Sequence, residues 1–510
     1  MDTPNLSFTK SNVKIGIVYT PVGDAYKIIE RFGLFSLWMN GKSIYDPTMG
    51  EGNLIYALIR YAQDNGYTIQ SMPINNLFGN EINSHAHKNA IARFRKDFNL
   101  DMSRQFTNKD ILEVEDSKFD VIFGNPPWQN FNDLPTNYKS YVKPYFKQYG
   151  LVNGNKSLLG NSRVDLSALI IKKVIQDNLS HKGIAVFYLP LSIFLNDGAH
   201  EEFRKYDLPD SSFSVDAIID YKGQDVFENI STRYGVAKFT RDSKQKFPIK
   251  YETLGENGNW KPNKARPLFK DSDPLNVLEE DDLLAYKHFH PVVLEKSSLP
   301  RQGLNTCGAN SIFFFNSLKV VSEDCAVLDH KYILPRKYIK KLVVAQQFKS
   351  LDVGEAKKWV LLPYKDNGRP LELEDLKREK FLFQYLSNFY SELSGRKGTM
   401  INAWIRRGYW WALLGVGPYN FSQYKVIWEA YGKKEFRPKI FHGEWQANQS
   451  LQAFIPLETR AEADRVLNEL SQPFVERYLL SLKMEGTMNW AQPGKIKKLI
   501  KIKTSELTLF

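Results

Sequence analysis

The stretch FDVIFGNPPWQN (119–130) reads as a buried strand that stops abruptly. Extended-preferring residues (119–123) give way to a glycine, an amide, two prolines and a tryptophan. Asn-Pro is a common breaker pair, so a turn accounts for the change of direction. It does not account for the side chains. Asn125 and Trp128, on a loop stiffened by Pro126 and Pro127, could hold a flat nitrogenous ring, one by hydrogen bonds and the other by stacking. A second stretch, DPTMGEGN (46–53), carries Asp46, Pro47, Gly50 and Gly52. Its glycines let backbone approach a ligand closely, and a following helix would offer unpaired N–H groups. It lacks the lysine of a phosphate-binding loop, and Glu51 inside it would repel pyrophosphate, so a zwitterionic or cationic ligand suits it better. Glu81 ends another apolar run, where a carboxylate commonly accepts both hydroxyls of a ribose. Asp110, in NKDIL (108–112), stands where a carboxylate could accept from an adenine amino group. Taken singly, each acid reads equally as a helix cap or a solvated turn residue.

The elements that must position these residues follow from the pattern around them. SIYDP (43–47), LFGNEI (77–82), FDVIFG (119–124) and IAVFYLP (184–190) read as strands. NLIYALIRYAQDNG (53–66), HAHKNAIARFRKDF (85–98) and VDLSALIIKKVIQDNL (164–179) read as helices, the first apolar at 54, 55, 58, 59 and 62. Such alternation implies parallel strands with helices on both faces. Ligands then bind at the carboxyl ends of the strands, near the point where strand order reverses, which is where Asp46, Glu81 and Asn125 fall. Near RDSKQKFP (241–248) the alternation ends and residues 250–300 turn polar and proline-containing, which places a domain boundary near 245–265.

A chain of 510 residues exceeds one hydrophobic core. Two cysteines, Cys307 and Cys325, suit neither a disulfide framework nor a metal site. The N-terminal residues lack the pattern of a secretion signal, and the apolar run GIAVFYLPLSIFL (183–195) is too short to span a bilayer, so a cytoplasmic protein without a membrane partner is expected. The net charge of +12 is uneven. Residues 1–250 hold 30 Lys and Arg against 27 Asp and Glu, whereas residues 251–510 hold 39 against 30. The basic excess points to a polyanion partner or, more plainly, to a basic solvated surface.

The order of these segments resembles the S-adenosylmethionine-dependent adenine-N6 DNA methyltransferases of restriction–modification systems. Tyr19, Thr20 and Pro21 resemble the family's segment that closes over the methionine part of the cofactor, and DPTMGEGN its glycine-rich loop. Glu81 then matches the ribose carboxylate, Asp110 the adenine-contacting acid, and Asn125-Pro126-Pro127-Trp128 the catalytic tetrad, with Asn125 also beside the cofactor. RVDLSALII (163–171) and QDVFENISTRYGVAKF (224–239) resemble later segments, and Phe227 takes the place of an aromatic that stacks on the target base. The first of these segments precedes the glycine loop, and only 72 residues separate Asn53 from Asn125. That layout resembles the gamma arrangement, whose recognition domain is C-terminal. Two positions depart from the pattern: Met49 stands where a small residue is commoner, and Trp128 replaces the commoner Tyr or Phe.

The resemblance implies an α/β fold: a Rossmann-like methyltransferase domain over 1–250 and a mixed α+β target-recognition domain over 265–510. S-adenosylmethionine would be the cofactor, with no metal, and double-stranded DNA the partner; a separately encoded restriction endonuclease stays open as a second one. Flipping a base from the duplex costs a few kcal/mol, and stacking on an aromatic recovers roughly 1–3 kcal/mol. Trp128 on one face of the base and Phe227 on the other would supply it. In the C-terminal half, INAWIRRGYWWALLGVGPYNFSQYKVIWEAYGKKEFRPKI (401–440) interleaves aromatics with Arg406, Arg407, Lys425, Lys433, Lys434 and Arg437, a composition suited to phosphate and base-edge contacts. Tryptophans at a core with bases at its rim give the same composition. Asp352, Glu355 and Lys357 only faintly resemble a nuclease signature. Two alternatives remain: a protein glutamine methyltransferase, which shares an Asn-Pro-Pro-aromatic site but lacks a long basic C-terminal domain, and a DNA-specificity subunit with a dead catalytic fold.

Overall fold

The computed structural model describes all residues except 1–19, 115–116, 153–163, 197, 223–225, 228–229, 231, 256–257, 279–288, 290, 350–352, 432–434, 483–490 and 503–510. The described residues separate into two compact units, one running to Leu278 and the other from Phe289 onward.

In the first unit the chain runs α1 (Val22–Arg31), α2 (Leu34–Met39), β1 (Ile44–Asp46), α3 (Asn53–Asp64), β2 (Leu77–Asn80), α4 (Ser84–Phe98), β3 (Phe106–Thr107), β4 (Phe119–Gly124), α5 (Thr136–Gln148), α6 (Leu166–Asp177) and β5 (Leu179–Pro190). Then come β6 (Phe213–Asp220), β7 (Tyr234–Arg241), β8 (Ile249–Leu254), β9 (Trp260–Arg266) and β10 (Asn276–Leu278). They form one sheet in the order β3-β2-β1-β4-β5-β7-β6-β8-β9-β10. Strands β1 to β5 are mutually parallel. β7 lies antiparallel between β5 and β6, and β6 pairs parallel with β8. The order 3-2-1-4-5 is that of a doubly wound Rossmann-like sheet, with its switch point between β1 and β4.

Side-chain alternation explains the two-faced burial. Val121 and Phe123 of β4, with Val186 and Tyr188 of β5, pack against α1, α3 and α4 on one face. Ile122, Ala185, Phe187 and Leu189 pack against α5 and α6 on the other. The helices start where the sequence lets them. Asn83 caps α4 by accepting from the amides of His85 and Ala86, and Asp165 caps α6 by accepting from that of Ser167.

The domain boundary needs correcting. β8, β9 and β10 extend the first unit's sheet through Leu278, so the division lies beyond the 245–265 interval that the change in composition suggested. β9, with Lys261, Pro262 and Lys264, lacks the apolar alternation that marks a half-buried strand, and β10 is only three residues long, whereas β8 does alternate, with Ile249 and Tyr251 buried.

The second unit is mixed α+β. One sheet joins Arg301–Gln302, Gln452–Leu457, Tyr424–Glu429 and Lys439–His442, and another joins Phe314–Phe315, Lys358–Leu361, Ile339–Leu342 and Trp445–Gln446. Helices at Lys380–Ser387, Tyr390–Ser394 and Thr399–Arg406 accompany them.

Candidate active site

The loop after β1 is shaped by two residues in the left-handed region, Gly50 at φ 55° and Gly52 at φ 79°. A Cβ on Gly52 would lie 2.9 Å from the Phe94 ring, so this position excludes a side chain on two grounds. Asp46 is almost fully buried and accepts from the Thr48 amide at 3.1 Å. Burial pushes its carboxyl well above the usual carboxylate range, and the nearby Glu81 carboxylate adds to the rise. Glu81 clamps two elements at once: Oε2 accepts from the Gly50 amide at 2.9 Å and Oε1 from the Asn83 amide at 2.7 Å. Asp110 accepts from the Leu112 amide at 2.9 Å. Burial raises both of these carboxyls as well. The three acids thus gather at the carboxyl ends of β1, β2 and β3.

Two expectations about the glycine loop resolve in detail. Glu51 turns toward α4, where its Oε1 accepts from Asn89 Nδ2 at 3.0 Å. Met49 is buried, and its sulfur occupies the space above Gly79 of β2, where a Cβ would lie 2.4 Å from Sδ. The large residue in the loop is matched by the absence of one in the adjacent strand.

The other wall comes from β4. Gly124 ends it, and a Cβ there would meet Pro47 at 3.0 Å and Phe187 at 3.1 Å, so glycine lets the loops after β1 and β4 converge. Asn125 is held from two directions. Its backbone carbonyl accepts from Thr48 Oγ1 at 3.2 Å, and its Nδ2 donates to Thr20 Oγ1 at 3.1 Å. Pro21 follows as the residue before α1. Pro126 is buried and Pro127 half-buried, and beyond them the Gln129 carbonyl accepts from the Leu166 amide at 2.8 Å, which pins the loop to the start of α6. Tyr19 lies outside the described residues.

Trp128 and Phe227 do come together, but not as two faces of a slot. Their ring centroids are 5.3 Å apart at an interplanar angle of 86°, an edge-to-face contact. A base sandwiched between them would need parallel rings about 7 Å apart, twice the contact distance of roughly 3.5 Å. The two rings fill each other's space here, which corrects the expected sandwich. Tyr234 completes the cluster, 5.5 Å from Trp128 at 32°. Its hydroxyl accepts from the backbone amides of Val226 and Phe227 at 2.8 and 3.2 Å.

Asn80, Thr48 and Asn53 belong to the site and were not anticipated from sequence. Asn80 is buried, donates Nδ2 to the carbonyls of Pro47 and Lys109 at 3.3 and 3.1 Å, and so ties the loops after β1 and β3. Its place beside Glu81 in LFGNEI was the one available signal.

In the second unit Arg406 and Arg407 are exposed, with the Arg407 guanidinium 5.9 Å from the Trp404 ring centroid. Arg437 is exposed and ion-paired with Glu435. Lys425 corrects the expected basic surface: it is 1% exposed, its amine donates to the Ser422 carbonyl at 3.0 Å, and burial pushes it down to about 8. Lys433, Lys434 and Asp352 lie outside the described residues. Trp411 and Trp428 are core residues, whereas Trp404, Tyr409 and Trp410 are half-buried or exposed. Glu355 and Lys357 are exposed. Among the described residues no group of His, Cys, Asp or Glu has the arrangement of a metal site, and no helix is long and apolar enough to cross a membrane.

Comparison with known proteins agrees with this geometry. Residues 29–227 match the family described as Eco57I restriction-modification methylase, a span that holds the glycine loop, Glu81, Asp110, the 125–128 loop and Phe227. The modification methylase CviBIII of Paramecium bursaria Chlorella virus NC1A is 26% identical over 194 residues, which cover 38% of this chain and 42% of the relative. The type IIL restriction–modification enzyme MmeI, solved in complex with DNA, superposes with a TM-score of 0.54 at 12% identity, over 92% of this chain and 64% of that one. The chain thus spans less than half of the viral relative and under two thirds of MmeI. Its first unit has a Rossmann-like methyltransferase fold, and its similarity runs to the methylases of restriction–modification systems.

Proposed function

We propose that the protein transfers a methyl group from S-adenosylmethionine to the N6 amine of an adenine flipped out of a specific duplex sequence, as the modification activity of a restriction–modification system. The observation that carries this reading is the placement of Asn125. Asn125 sits at the carboxyl end of β4, its amide held by Thr20 and its backbone carbonyl by Thr48, across the switch point from one buried and two half-buried carboxyls.

The residues present fit the cofactor. Gly50 and Gly52 open the loop after β1 to close approach, Glu81 suits the ribose hydroxyls, and Asp110 suits the adenine amine. Asp46, buried and raised, suits a ligand that brings positive charge. When bound, S-adenosylmethionine supplies an activated methyl group on a sulfonium. The chain's own task is to prepare the acceptor. An exocyclic amine is a poor nucleophile while its lone pair is delocalised into the ring. The Asn125 Oδ1 and the Pro126 carbonyl would each accept a hydrogen bond from that amine and draw the nitrogen toward tetrahedral geometry. Both acceptors are set in advance by the prolines and the strand end, which is electrostatic preorganisation. Trp128 would stack on the flipped base, with Phe227 moving from its edge-to-face contact to admit it. Arg406, Arg407 and Arg437 are exposed residues suited to phosphate or base-edge contacts in the recognition role proposed for the second unit. MmeI, which superposes along most of the chain, was solved with DNA bound, and this supports DNA as the partner.

The test is transfer of tritiated methyl groups to duplex DNA, a poly-glutamine peptide and RNA. Labelling of duplex DNA alone is expected, with N6-methyladenine as product. Asn125→Ala should lower the rate about 10²–10³-fold, the scale of one preorganised contact, with both ligands still bound. Labelling of the peptide instead, or unimpaired turnover by the variant, overturns the proposal.

A further inference from the structure

The Asn125 side chain has two ends of nearly equal size and opposite chemistry. Only one orientation puts the acceptor Oδ1 toward a substrate amine; the other presents an NH₂ and abolishes the interaction. In the structure the NH₂ end is held by Thr20, 105 residues away in sequence, whose Oγ1 accepts from Asn125 Nδ2 at 3.1 Å and so leaves Oδ1 on the other side. Thr20 is only 3% exposed, so water competes little for this bond.

The Thr20 backbone is itself fixed by a chain of contacts with one permitted polarity as far as its carbonyl. Arg93 can only donate, and its Nη1 does so to Asn53 Oδ1 at 2.6 Å. The Asn53 Nδ2 must then face the Thr20 carbonyl, which can only accept, and the distance is 3.0 Å. Arg93 is anchored in turn, its guanidinium 3.8 Å from the Tyr56 ring centroid. Asn53 is the first residue of α3, directly after the glycine loop. A line of contacts therefore runs from α4 through α3 to the segment before α1, and ends on the reacting amide.

We propose that Thr20 is a positioning residue, which locks the Asn125 amide with Oδ1 toward the target amine, and that Asn53 and Arg93 hold Thr20 in place. This rests on the methyl-transfer reading above. It differs from the cofactor role that resemblance implies for Thr20, because a cofactor contact would govern S-adenosylmethionine affinity and a positioning residue governs turnover.

Thr20→Val keeps the shape and removes the acceptor; Thr20→Ser keeps the hydroxyl. Thr20→Val should lower the single-turnover rate about 10- to 100-fold, the scale of a misoriented catalytic group, with the dissociation constants for S-adenosylmethionine and duplex DNA unchanged. Thr20→Ser should recover most of that rate. Independently of activity, the Asn125 side-chain NH₂ in asparagine-labelled protein should exchange with solvent faster in Thr20→Val than in wild type. An unchanged rate and exchange in Thr20→Val, or a loss residing wholly in cofactor affinity, overturns the inference alone. Faster exchange in Thr20→Val, with no methyl transfer to any acceptor by wild type, would uphold the bond while overturning the methyltransferase reading.

Discussion

Gly79 and Met49 form a pair whose coupling can be worked out from the structure. Gly79 sits in β2, opposite Asp46 of β1 and Phe106 of β3. An alanine methyl there would lie 2.4 Å from Met49 Sδ and 3.1 Å from the Phe106 ring, against an ordinary contact distance of about 3.5–4 Å. The sulfur must retreat by roughly 1 Å or more to restore that distance, yet Met49 and Phe106 are both buried. Overpacking of this kind costs about 1–3 kcal/mol, and replacing a strand glycine returns about 0.5–1 kcal/mol of backbone entropy. Gly79→Ala should therefore destabilise by up to about 2.5 kcal/mol. Met49→Ala should cost about 2–5 kcal/mol as a cavity. In the double variant the new methyl occupies part of that cavity, so its destabilisation should fall short of the sum by about 1–3 kcal/mol, within the coupling range of touching residues. The measurement is native-state hydrogen exchange on peptides from β1 and β2, since a two-unit chain need not unfold in one transition. The functional counterpart is calorimetric S-adenosylmethionine affinity, which Gly79→Ala should weaken by displacing the glycine loop and Met49→Ala/Gly79→Ala should partly restore. Additivity within about 0.5 kcal/mol would refute the pairing.

Other outcomes follow from the site. Asp46, Glu81 and Asp110 are all raised above their ordinary values of 3.8, 4.5 and 3.8. The free fold therefore favours their protonated forms, and their contribution to stability declines as pH rises through the raised values. A cofactor that donates hydrogen bonds or brings a cation favours the charged forms, so its binding should release protons as the pH is lowered toward the carboxylate range; calorimetry in buffers of unequal ionisation enthalpy over a descending pH series checks this, and buffer-independent heats throughout would contradict it. Lys425 is pushed down to about 8, so wild type should gain stability over Lys425→Met as pH rises from about 8 toward the ordinary lysine value of about 10.4, while DNA affinity stays equal at fixed salt. Charge reversal at Arg406 and Arg407 should instead weaken DNA binding and flatten its salt dependence, by about 0.9 in log–log slope for each phosphate no longer neutralised. A duplex with 2-aminopurine at the target adenine should brighten on binding, and more so with Trp128→Ala, because the indole quenches the flipped base; a dark complex would argue against flipping.

What the sequence revealed follows from what each signal depends on. β4 runs over Phe119–Gly124 as expected, because strong apolar residues are bounded by a glycine and a proline pair. β5 starts at Leu179 rather than 184: Leu179 pairs with Phe119 of β4, and Ser180, His181 and Lys182, between it and Ile184, carry no strand signal. β9 and β10 were invisible for a related reason, the first being polar and the second only three residues long, and β8, which does alternate, lay inside the polar stretch that reads as a boundary. The acids and the amide were legible because strand ends in an alternating fold have a defined location. The side-chain partnerships were not. Nothing local says that Glu51 bonds Asn89, that Met49 covers Gly79, or that Phe227 turns its edge to Trp128. Lys425 misled because composition counts a charge wherever it stands, and its strand, Tyr424–Glu429, lies inside a sheet.

The convergence of both walls on one crevice bears on how transfer can proceed. Neighbouring strands lie about 4.8 Å apart, so the loops after β1 and β4 are forced together at their ends. Here the approach is tighter still, because Gly124 has no side chain to hold Pro47 away. Thr48 Oγ1, from the loop proposed to hold the donor, bonds the carbonyl of Asn125, the residue proposed to hold the acceptor. A shift of either loop is therefore felt by the other. Direct displacement needs this arrangement, since donor and acceptor must stand about 3–3.5 Å apart and in line, and a catalytic base does nothing to bring them there. On this reading the hydrogen bonds joining the two loops matter for rate in addition to the tetrad. The contacts of Thr20 and Thr48 with Asn125 should then show up in turnover before they show up in affinity.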